Sequence, residues 1–416
     1  MTQKLYDIKN EFHRFGGDRC GNGGTGLVVY YPTEQTDFSE IAILTMHGAD
    51  YMGFYPMVEL AKRGFVAAGV APGRRDVKGW LAECKCCVDF LKSMPGVKKV
   101  VLMGHSQGGC MMSCYQYIAE NGTARFANTD RIIPFPQIEP LTPVEGLMLL
   151  DANYGIMQVL ALDPGVRSLR SGYARIPQLD IYNPDNGYVP NGSRYHKEFI
   201  RRFQRAQIKQ YNDLLDMAMD RMAKINAGRG DFEDDEPVLI AGAAGGSSNN
   251  KLFCQDISLL GRTSVPQPLL HADGSLTIEI VHTTRPPEDA VPSSRYHRGA
   301  SLTTVRTLLE QQLRFDEDFG YDECNMWGLD DNFNYLSTRA NVKGITVPLL
   351  CQGNSASHEF VNTEFNFVAA ASADKEIFIT EGSCHDYYPV DKKYGDTLTI
   401  TCNYIADWLA KPGRFL

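Results

Sequence analysis

The residues with the clearest chemical potential lie in a short motif flanked by glycines. Residues 104–108 read GHSQG, a G-x-S-x-G pattern with Ser106 at its centre. The motif follows the apolar run Lys99–Met103, which predicts a buried strand, and it precedes a helical pattern that begins at Gly109. Such a strand–turn–helix connection strains the serine backbone and presents its hydroxyl at the end of the strand. We therefore predict that Ser106 is a nucleophile of acyl-transfer chemistry.

A serine nucleophile needs a base, because a free hydroxyl is a weak nucleophile at neutral pH. The chain has nine histidines. His385 lies in the loop between the last predicted strand and the final predicted helix, and it is the strongest candidate. His47 adjoins a glycine turn and could support that loop, His105 lies inside the serine motif, and His358 is the main alternative base.

Three segments together resemble the α/β-hydrolase superfamily, in particular its serine esterase and lipase-like branches. They are the turn Met46-His47-Gly48, the GHSQG motif, and the late segment Glu381-Gly-Ser-Cys-His385. The resemblance covers roughly residues 1–151 and 341–416. It implies that Ser106 is the nucleophile and His385 the general base. It also implies an oxyanion hole made by the backbone amides of Ala49 and Gln107, and no cofactor.

The acid of the triad departs from the usual pattern of this superfamily. The usual aspartate lies about three residues beyond the glycine that ends the strand before the last, and here that position is Ala356. Haloalkane dehalogenase-like members instead carry the acid at the end of the sixth strand, in a pattern Gly-x-x-x-x-acid. Residues 146–151 read GLMLLD and place Asp151 there. Asp151 is the predicted acid, with Glu359 and then Glu364 as alternatives.

The elements that must position these groups are predicted at both ends of the chain. Several predicted strands are apolar on both faces, which is typical of a parallel sheet covered by helices on both sides. We therefore predict an α/β fold, namely the α/β-hydrolase fold with a mostly parallel central sheet. The predicted strands are Gly26–Tyr31, Ile41–Met46, Phe65–Val70, Lys99–Met103, Val144–Leu150, Thr346–Cys351 and Glu376–Thr380. The predicted helices are Pro56–Arg63, Gly79–Met94, Gly109–Glu120, Thr363–Ala371 and Leu398–Leu409.

Residues 152–340 have a different character and are predicted to form a large, mainly helical cap after the sixth strand. The catalytic core is then 1–151 together with 341–416. Within the cap we predict a long amphipathic helix at Tyr195–Ala227, a strand at Leu276–His282 and a second helix at Leu302–Phe315. The cap should enclose a substrate pocket, for which Tyr154, Tyr188 and Trp327 are candidate lining residues.

Composition narrows the classes of partner. The 416-residue chain has a net charge of −9 and no stretch rich in Lys or Arg, which argues against nucleic acid. No apolar run approaches about 18 residues and the first residues lack the apolar core of a signal peptide, so we expect no membrane partner and a cytoplasmic location. The eleven cysteines lack zinc-ligand spacing, so no metal is predicted. The glycine-rich stretch Gly16–Gly26 is not followed by a helix and predicts a hairpin turn.

These inferences define the expected activity and its rivals. A serine nucleophile with an oxyanion hole predicts acyl-enzyme hydrolysis of a carboxylic ester or lactone of a medium-to-large apolar metabolite. Amide hydrolysis, C–C cleavage of a β-diketone and acyl transfer to another acceptor would use the same groups. A non-catalytic binding protein on the same fold is the alternative from another class. The partner is a small-molecule substrate, and the long cap helix also offers a homodimer contact.

Overall fold

The computed structural model describes the chain except at 1–3, 17–23, 75, 128–129, 154, 156–161, 169–173, 190–193, 242–260, 286–299, 323 and 333. The strands are β1 Ile8–Phe15, β2 Thr25–Pro32, β3 Ile41–Met46, β4 Val66–Ala71, β5 Lys99–His105, β6 Gly146–Leu150, β7 Val166–Ser168, β8 Ala174–Arg175, β9 Pro237–Ala241, β10 Gln267–Leu270, β11 Leu276–Glu279, β12 Ala300–Thr304, β13 Arg314–Tyr321, β14 Met326–Asp330, β15 Leu349–Asn354 and β16 Lys375–Thr380. The α-helices are α1 Tyr55–Lys62, α2 Val77–Ser93, α3 Gln107–Asn121, α4 Lys197–Asn226, α5 Val305–Glu310, α6 Thr338–Asn341, α7 Phe360–Ala369 and α8 Thr397–Leu409.

Ten strands form the main sheet, in the order β1-β2-β4-β3-β5-β6-β15-β16-β10-β11. The run from β4 to β10 is parallel, whereas β1, β2 and β11 pair antiparallel at the two edges. The prediction of a mostly parallel central sheet is therefore confirmed. Because the carboxyl ends of the parallel strands share one edge, the loops after β3, β4, β5, β6, β15 and β16 gather there.

Alternating residues of the central strands face two separate apolar layers. Val100 and Leu102 of β5 pack in one core with α2 and α3. Val101 and Met103 of the same strand pack in a second core with α1 and α8. Successive side chains of a strand point to opposite faces, so a continuous apolar run is what a sheet covered on both sides requires. The predicted flanking helices are present on both faces.

The end segments follow the sequence prediction closely. Each strand and helix predicted there is present, with ends that shift by at most three residues. The strand β1 was not predicted, because its sequence IKNEFHRF is mostly polar and no residue of it is fully buried. It pairs antiparallel with β2, and Phe15 lies opposite Thr25. The pairing fits the hairpin predicted for Gly16–Gly26, whose residues 17–23 lie outside the described part of the chain.

The segment between β6 and β15 differs from the prediction in two respects. The long helix is present as α4, and its buried side chains pack with α5 and β13 in a separate apolar cluster. The second helix predicted at Leu302–Phe315 is wrong. β12 runs to Thr304 and pairs with β9, only Val305–Glu310 is helical, and β13 begins at Arg314. The run Leu302-Thr303-Thr304 is rich in β-branched residues, which favour the extended backbone of a strand.

The second difference concerns the boundary of the inserted unit. The predicted strand Leu276–His282 is present as β11, but β10 pairs parallel with β16 and β11 pairs with β10. These two strands extend the main sheet, so the span 152–340 is not all cap. Leu269 and Leu270 of β10 are buried, and their apolar side chains explain the addition. Among the described helices, none has the length and apolar content needed to cross a bilayer.

Candidate active site

The serine motif forms a sharp turn between β5 and α3. Ser106 has a φ of 54°, in the left-handed region that side chains rarely adopt. A Cβ added to Gly104 would lie 2.6 Å from the carbonyl oxygen of Gly108, and one added to Gly108 would lie 2.6 Å from the carbonyl oxygen of Met46. Only glycine permits these close approaches of backbone. The turn is thus held in a strained conformation by tight packing on both sides.

The end of β6 fixes the turn in place. The Ser106 N–H donates to the Leu150 carbonyl at 3.3 Å, and the Ser106 carbonyl accepts from the Asn153 N–H at 2.9 Å. In the parallel pairing of β5 with β6, His105 lies opposite Leu150. Ser106 and Asp151 therefore leave adjacent strands at the same level of the sheet edge.

Asp151 is fully buried at this edge and hydrogen-bonds His385. Its Oδ2 lies 2.6 Å from His385 Nδ1, and its Oδ1 accepts from the Asn354 N–H at 3.1 Å. Asp151 also has a positive φ of 44°, which matches the strain of the serine turn beside it. Because the carboxylate accepts at Nδ1, the lone pair of the neutral imidazole is on Nε2. Ser357 Oγ, 3.4 Å from the same Nδ1, is a weaker second neighbour.

The surroundings of His385 act on its pKa in opposite directions. Burial of the ring favours the neutral form, whereas the hydrogen bond and the negative charge of Asp151 favour the imidazolium. The second effect is the larger in sum, and the pKa of His385 is raised above its ordinary 6.5. The site therefore stabilises a positive charge on this ring, as a general base requires after it has accepted a proton.

His105 connects the serine turn to the histidine loop. Its ring lies 4.4 Å from the His385 ring, centroid to centroid, and its Nε2 donates to the His385 carbonyl at 3.0 Å. Its Nδ1 then accepts from the Tyr51 hydroxyl at 2.8 Å. Burial and the charge of His385 place the pKa of His105 well below 6.5, so this link is neutral. The Ser106 hydroxyl has no hydrogen bond with the described residues, and His385 lies beside the residue that precedes it.

Sequence reasoning treated His105 only as the variable residue of the motif. Its partners Tyr51 and His385 are 54 and 280 residues away in the chain. A local pattern does not reveal such partners. The available signal was the presence of an imidazole inside a motif predicted to be buried, since buried polar rings almost always have hydrogen-bond partners.

The two predicted oxyanion donors, Ala49 and Gln107, differ in their hydrogen bonding in this structure. The Ala49 N–H donates to His47 Nδ1 at 3.0 Å, so this amide is occupied. Burial and the neighbouring His385 lower the pKa of His47 to about 4, so the ring is a neutral acceptor. Gln107 is the first residue of α3, and its N–H has no partner in the described part of the chain. The role predicted for the Ala49 amide in an oxyanion hole stays a prediction, and in this structure the amide donates to the adjacent imidazole.

The two alternative acids have other partners. Glu359 is fully buried, its Oε2 accepts from Asn362 Nδ2, and its Oε1 lies 3.6 Å from His358 Nε2. Glu364 accepts from the Ser264 N–H at 2.6 Å and from Gln267 Nε2 at 2.8 Å, and so holds the entrance to β10. The ring of His358 lies 4.7 Å from that of His385, beside the candidate base. Of the three predicted carboxylates, Asp151 is the one that hydrogen-bonds His385.

Two of the three predicted pocket aromatics, Tyr188 and Trp327, lie in the described part of the chain. Tyr154 lies outside the described residues. Tyr188 packs with the apolar cluster of the inserted segment, 5.6 Å from the Tyr182 ring. Trp327 is 44% exposed, and its Nε1 donates to the Asp318 carbonyl at 2.7 Å within the β13–β14 hairpin. Tyr188 and Trp327 thus have structural partners in the inserted segment.

The order of the strands and the positions of the candidate site residues are typical of the same fold. The strand order of the main sheet, the strained serine after β5, the aspartate after β6 and the histidine after β16 occur in one arrangement. The chain has the α/β-hydrolase fold.

Comparison with known proteins gives similarity to solved structures alone. No family model and no curated protein matches the chain. It is similar to brefeldin A esterase, a bacterial homologue of human hormone-sensitive lipase, with 12% identity, a TM-score of 0.42, and coverage of 99% of this chain and 78% of that chain. It is similar to a soluble variant of monoglyceride lipase from Saccharomyces cerevisiae, with 11% identity, a TM-score of 0.42, and coverage of 99% and 96%. A carboxyl esterase from Bacillus coagulans shares 9% identity, with a TM-score of 0.42 and coverage of 98% and 99%.

Proposed function

We propose that this protein is a serine-dependent ester hydrolase in which Ser106, His385 and Asp151 form the catalytic triad. The observation that carries the proposal is the 2.6 Å hydrogen bond between Asp151 and His385, placed at the end of the strand next to the strained Ser106 turn. A buried carboxylate on Nδ1 fixes the tautomer whose Nε2 accepts the serine proton. A glycine-flanked serine at positive φ is the form in which this fold exposes a nucleophile.

The reaction follows from these positions. The Ser106 Oγ attacks the acyl carbon while His385 Nε2 takes the hydroxyl proton, and Asp151 stabilises the imidazolium. The oxyanion that forms on the acyl oxygen meets the Gln107 N–H at the start of α3, where the helix dipole is positive. The C–O bond of the ester then breaks, and the alcohol leaves with the proton from His385. Water, deprotonated by the same imidazole, releases the acid and restores Ser106.

The second oxyanion donor requires a local rearrangement. Ala49 becomes a donor when its N–H leaves His47 Nδ1 and turns toward the acyl oxygen. The acceptor it leaves is neutral and partly accessible, so the exchange replaces one hydrogen bond with another to a developing negative charge. Hydrogen bonds to a charged acceptor are the stronger kind, which favours the exchange in the transition state over the free enzyme.

The test is active-site labelling combined with hydrolysis. The wild-type protein should react with a fluorophosphonate probe and hydrolyse 4-nitrophenyl esters, and Ser106→Ala should abolish both. Ser93→Ala removes an exposed hydroxyl that donates to the Phe90 carbonyl, and it should leave both unchanged. Labelling of Ser106→Ala at the wild-type rate, or no labelling of the wild type, would contradict the proposal. Product analysis across esters, lactones, amides and β-diketones, with and without an added acceptor alcohol, defines the bond cleaved.

A further inference from the structure

A cavity of about 360 Å³ opens on the oxyanion side of the serine turn. Three parallel strands deliver its wall on the core side: Gly48 follows β3, Pro72 and Arg74 follow β4, and Gln107 follows β5 and Ser106. The inserted segment closes the other side through β12, α5 and the stretch before α6. The further lining residues include Trp80, Met111, Thr304, Thr307, Gln311 and Leu336. Gln107, whose N–H is the proposed oxyanion donor next to Ser106, therefore lies between the serine turn and this cavity.

The charged part of the cavity lining is positive. Arg74 is its only charged residue among those described, and no carboxylate lines the cavity. Arg74 is exposed, and its guanidinium has no hydrogen bond or ion pair with the described residues. The carboxylate of Glu83 accepts from the backbone N–H of Arg74 at 3.2 Å, so it contacts the backbone of this residue and leaves the guanidinium available. Arg74 also borders a second cavity, but there Asp76 and Glu83 supply carboxylates that balance the charges of Arg74 and Lys78.

A second donor faces the same space. The Thr304 hydroxyl donates to Thr307 Oγ1 at 2.9 Å, so the Thr307 hydroxyl hydrogen is left for another acceptor. The remaining wall is mixed, with apolar side chains such as Trp80, Met111 and Leu336 beside polar ones such as Gln107 and Gln311. The cavity thus combines apolar side chains with one cation and with polar groups that include the Thr307 hydroxyl. This pattern is suited to an aliphatic or aromatic group that ends in an anion.

We infer that the substrate is an anionic ester, with a carboxylate or similar acidic group that binds Arg74 while the ester carbonyl lies at Ser106. The inference rests on the proposed function and adds the chemical class of substrate to it. Arginine binds carboxylates and phosphates through its planar fork of N–H donors, so one residue provides both attraction and orientation. Arg74 is in this proposal a specificity residue that touches substrate and takes no part in the proton transfers.

The experiment compares esters that share the reporting ester bond and carry either a free carboxylate or its methyl ester. On the acyl side the pair is the 4-nitrophenyl hemiester of a dicarboxylic acid and the same compound capped as its methyl ester, in a succinate, glutarate and adipate series. On the alcohol side the pair is the acetate ester of a hydroxyaryl carboxylic acid and its methyl ester. The wild type should prefer the anionic member of at least one pair. Arg74→Gln should lower kcat/KM for that anionic ester about 10- to 100-fold, with less than about a threefold change for its neutral partner.

Two further variants separate binding from general electrostatics. Arg74→Lys keeps the charge without the fork and should give an intermediate loss. Lys78→Gln removes an exposed cation four positions away that does not line this cavity, and it should leave the preference unchanged. The inference is overturned if Arg74→Gln alters both members of each pair equally, if the wild type shows no preference for an anion, or if Lys78→Gln has the same effect. Neutral ester hydrolysis and probe labelling report the proposed function separately, since their absence in the wild type would reject that function instead.

Discussion

At the scale of single residues, the proposed chemistry depends on the hydrogen bond between Asp151 and His385. We expect Asp151→Asn to lower kcat by roughly 10³-fold or more, because an amide donor at Nδ1 would select the tautomer whose Nε2 carries a proton and is no base. The fold should persist, since asparagine has nearly the same volume and its oxygen still accepts from the Asn354 N–H. Steady-state kinetics and a thermal melt check the two parts. Near-wild-type turnover of Asp151→Asn, combined with loss of turnover in Glu359→Gln, would move the role to Glu359.

The Asp151–His385 pair also predicts the direction in which activity changes with pH. The base must be neutral, and Asp151 raises the pKa of His385 above 6.5. In the wild type kcat/KM should therefore fall as pH decreases through a value higher than 6.5. In Asp151→Asn the negative charge is gone, so the acid limb of the residual activity should move to lower pH. If the acid limb of the pH profile lies at the same pH in Asp151→Asn as in the wild type, a group other than His385 determines it.

At the scale of elements, the close contact between β5 and α3 holds the serine turn. A Cβ on Gly104 would lie 2.6 Å from both the Gly108 carbonyl oxygen and the Gly109 Cα, and neither backbone atom can rotate away. Gly104→Ala should therefore push α3 from the sheet, lower the free energy of unfolding by about 1–3 kcal/mol and reduce probe labelling. Gly53→Ala is the control, because its Cβ would meet nothing within 4 Å. Equal stability and labelling of the two variants would show that the contact is not required.

The sequence predicted the core elements well because their signals are local. Continuous apolar runs such as Val100–Met103 define buried strands, and the glycines around Ser106 define the turn. It failed at Leu302–Phe315, where apolar spacing suited a helix but pairing of β12 with β9 determined the backbone. The sequence could not exclude Glu359 and Glu364 as the triad acid in place of Asp151, because the acid is the carboxylate that contacts His385, and His385 is distant from Asp151 in the chain. The hydrogen bond from the Ala49 N–H to His47 depends on the direction of the His47 side chain, which the spacing of residues in the sequence does not determine.

The whole molecule places three neutral, largely buried imidazoles around the site. Burial and the nearby His385 together lower the pKa of His47 to about 4 and place those of His105 and His358 well below 6.5. Arg285 adds to the effect at His358. Unfolding exposes these rings to water, where each takes up a proton below its ordinary pKa of about 6.5. At mildly acidic pH the folded protein therefore keeps these three rings neutral, whereas the unfolded chain protonates them.

This arrangement makes global stability depend on pH in the window in which the three histidines of the unfolded chain titrate. Above pH 6.5 the three rings are neutral in both states and contribute no pH dependence. As pH falls from about 6.5 toward 4, the unfolded state binds more protons, and stability should decrease by up to about 1.4 kcal/mol per pH unit for each histidine. His385 acts oppositely, since its pKa is raised on folding: its contribution is complete below 6.5 and is lost only as pH rises through the raised value.

Chemical denaturation at several pH values between 7 and 5 tests this, because paired carboxylates such as Glu59 and Glu376, whose pKa values are lowered, titrate below that range. His358→Gln should reduce the slope by about one proton, even if it lowers stability at pH 7. His196→Gln, which changes an exposed imidazole at the start of α4, should leave the slope intact. A wild-type stability that is flat from pH 7 to 5 would contradict the neutral state of these rings. Because these rings are neutral, the charges that act on His385 are those of carboxylates, Asp151 first and then Glu359 and Asp386, so the stability profile and the catalytic pH profile test the same electrostatic arrangement.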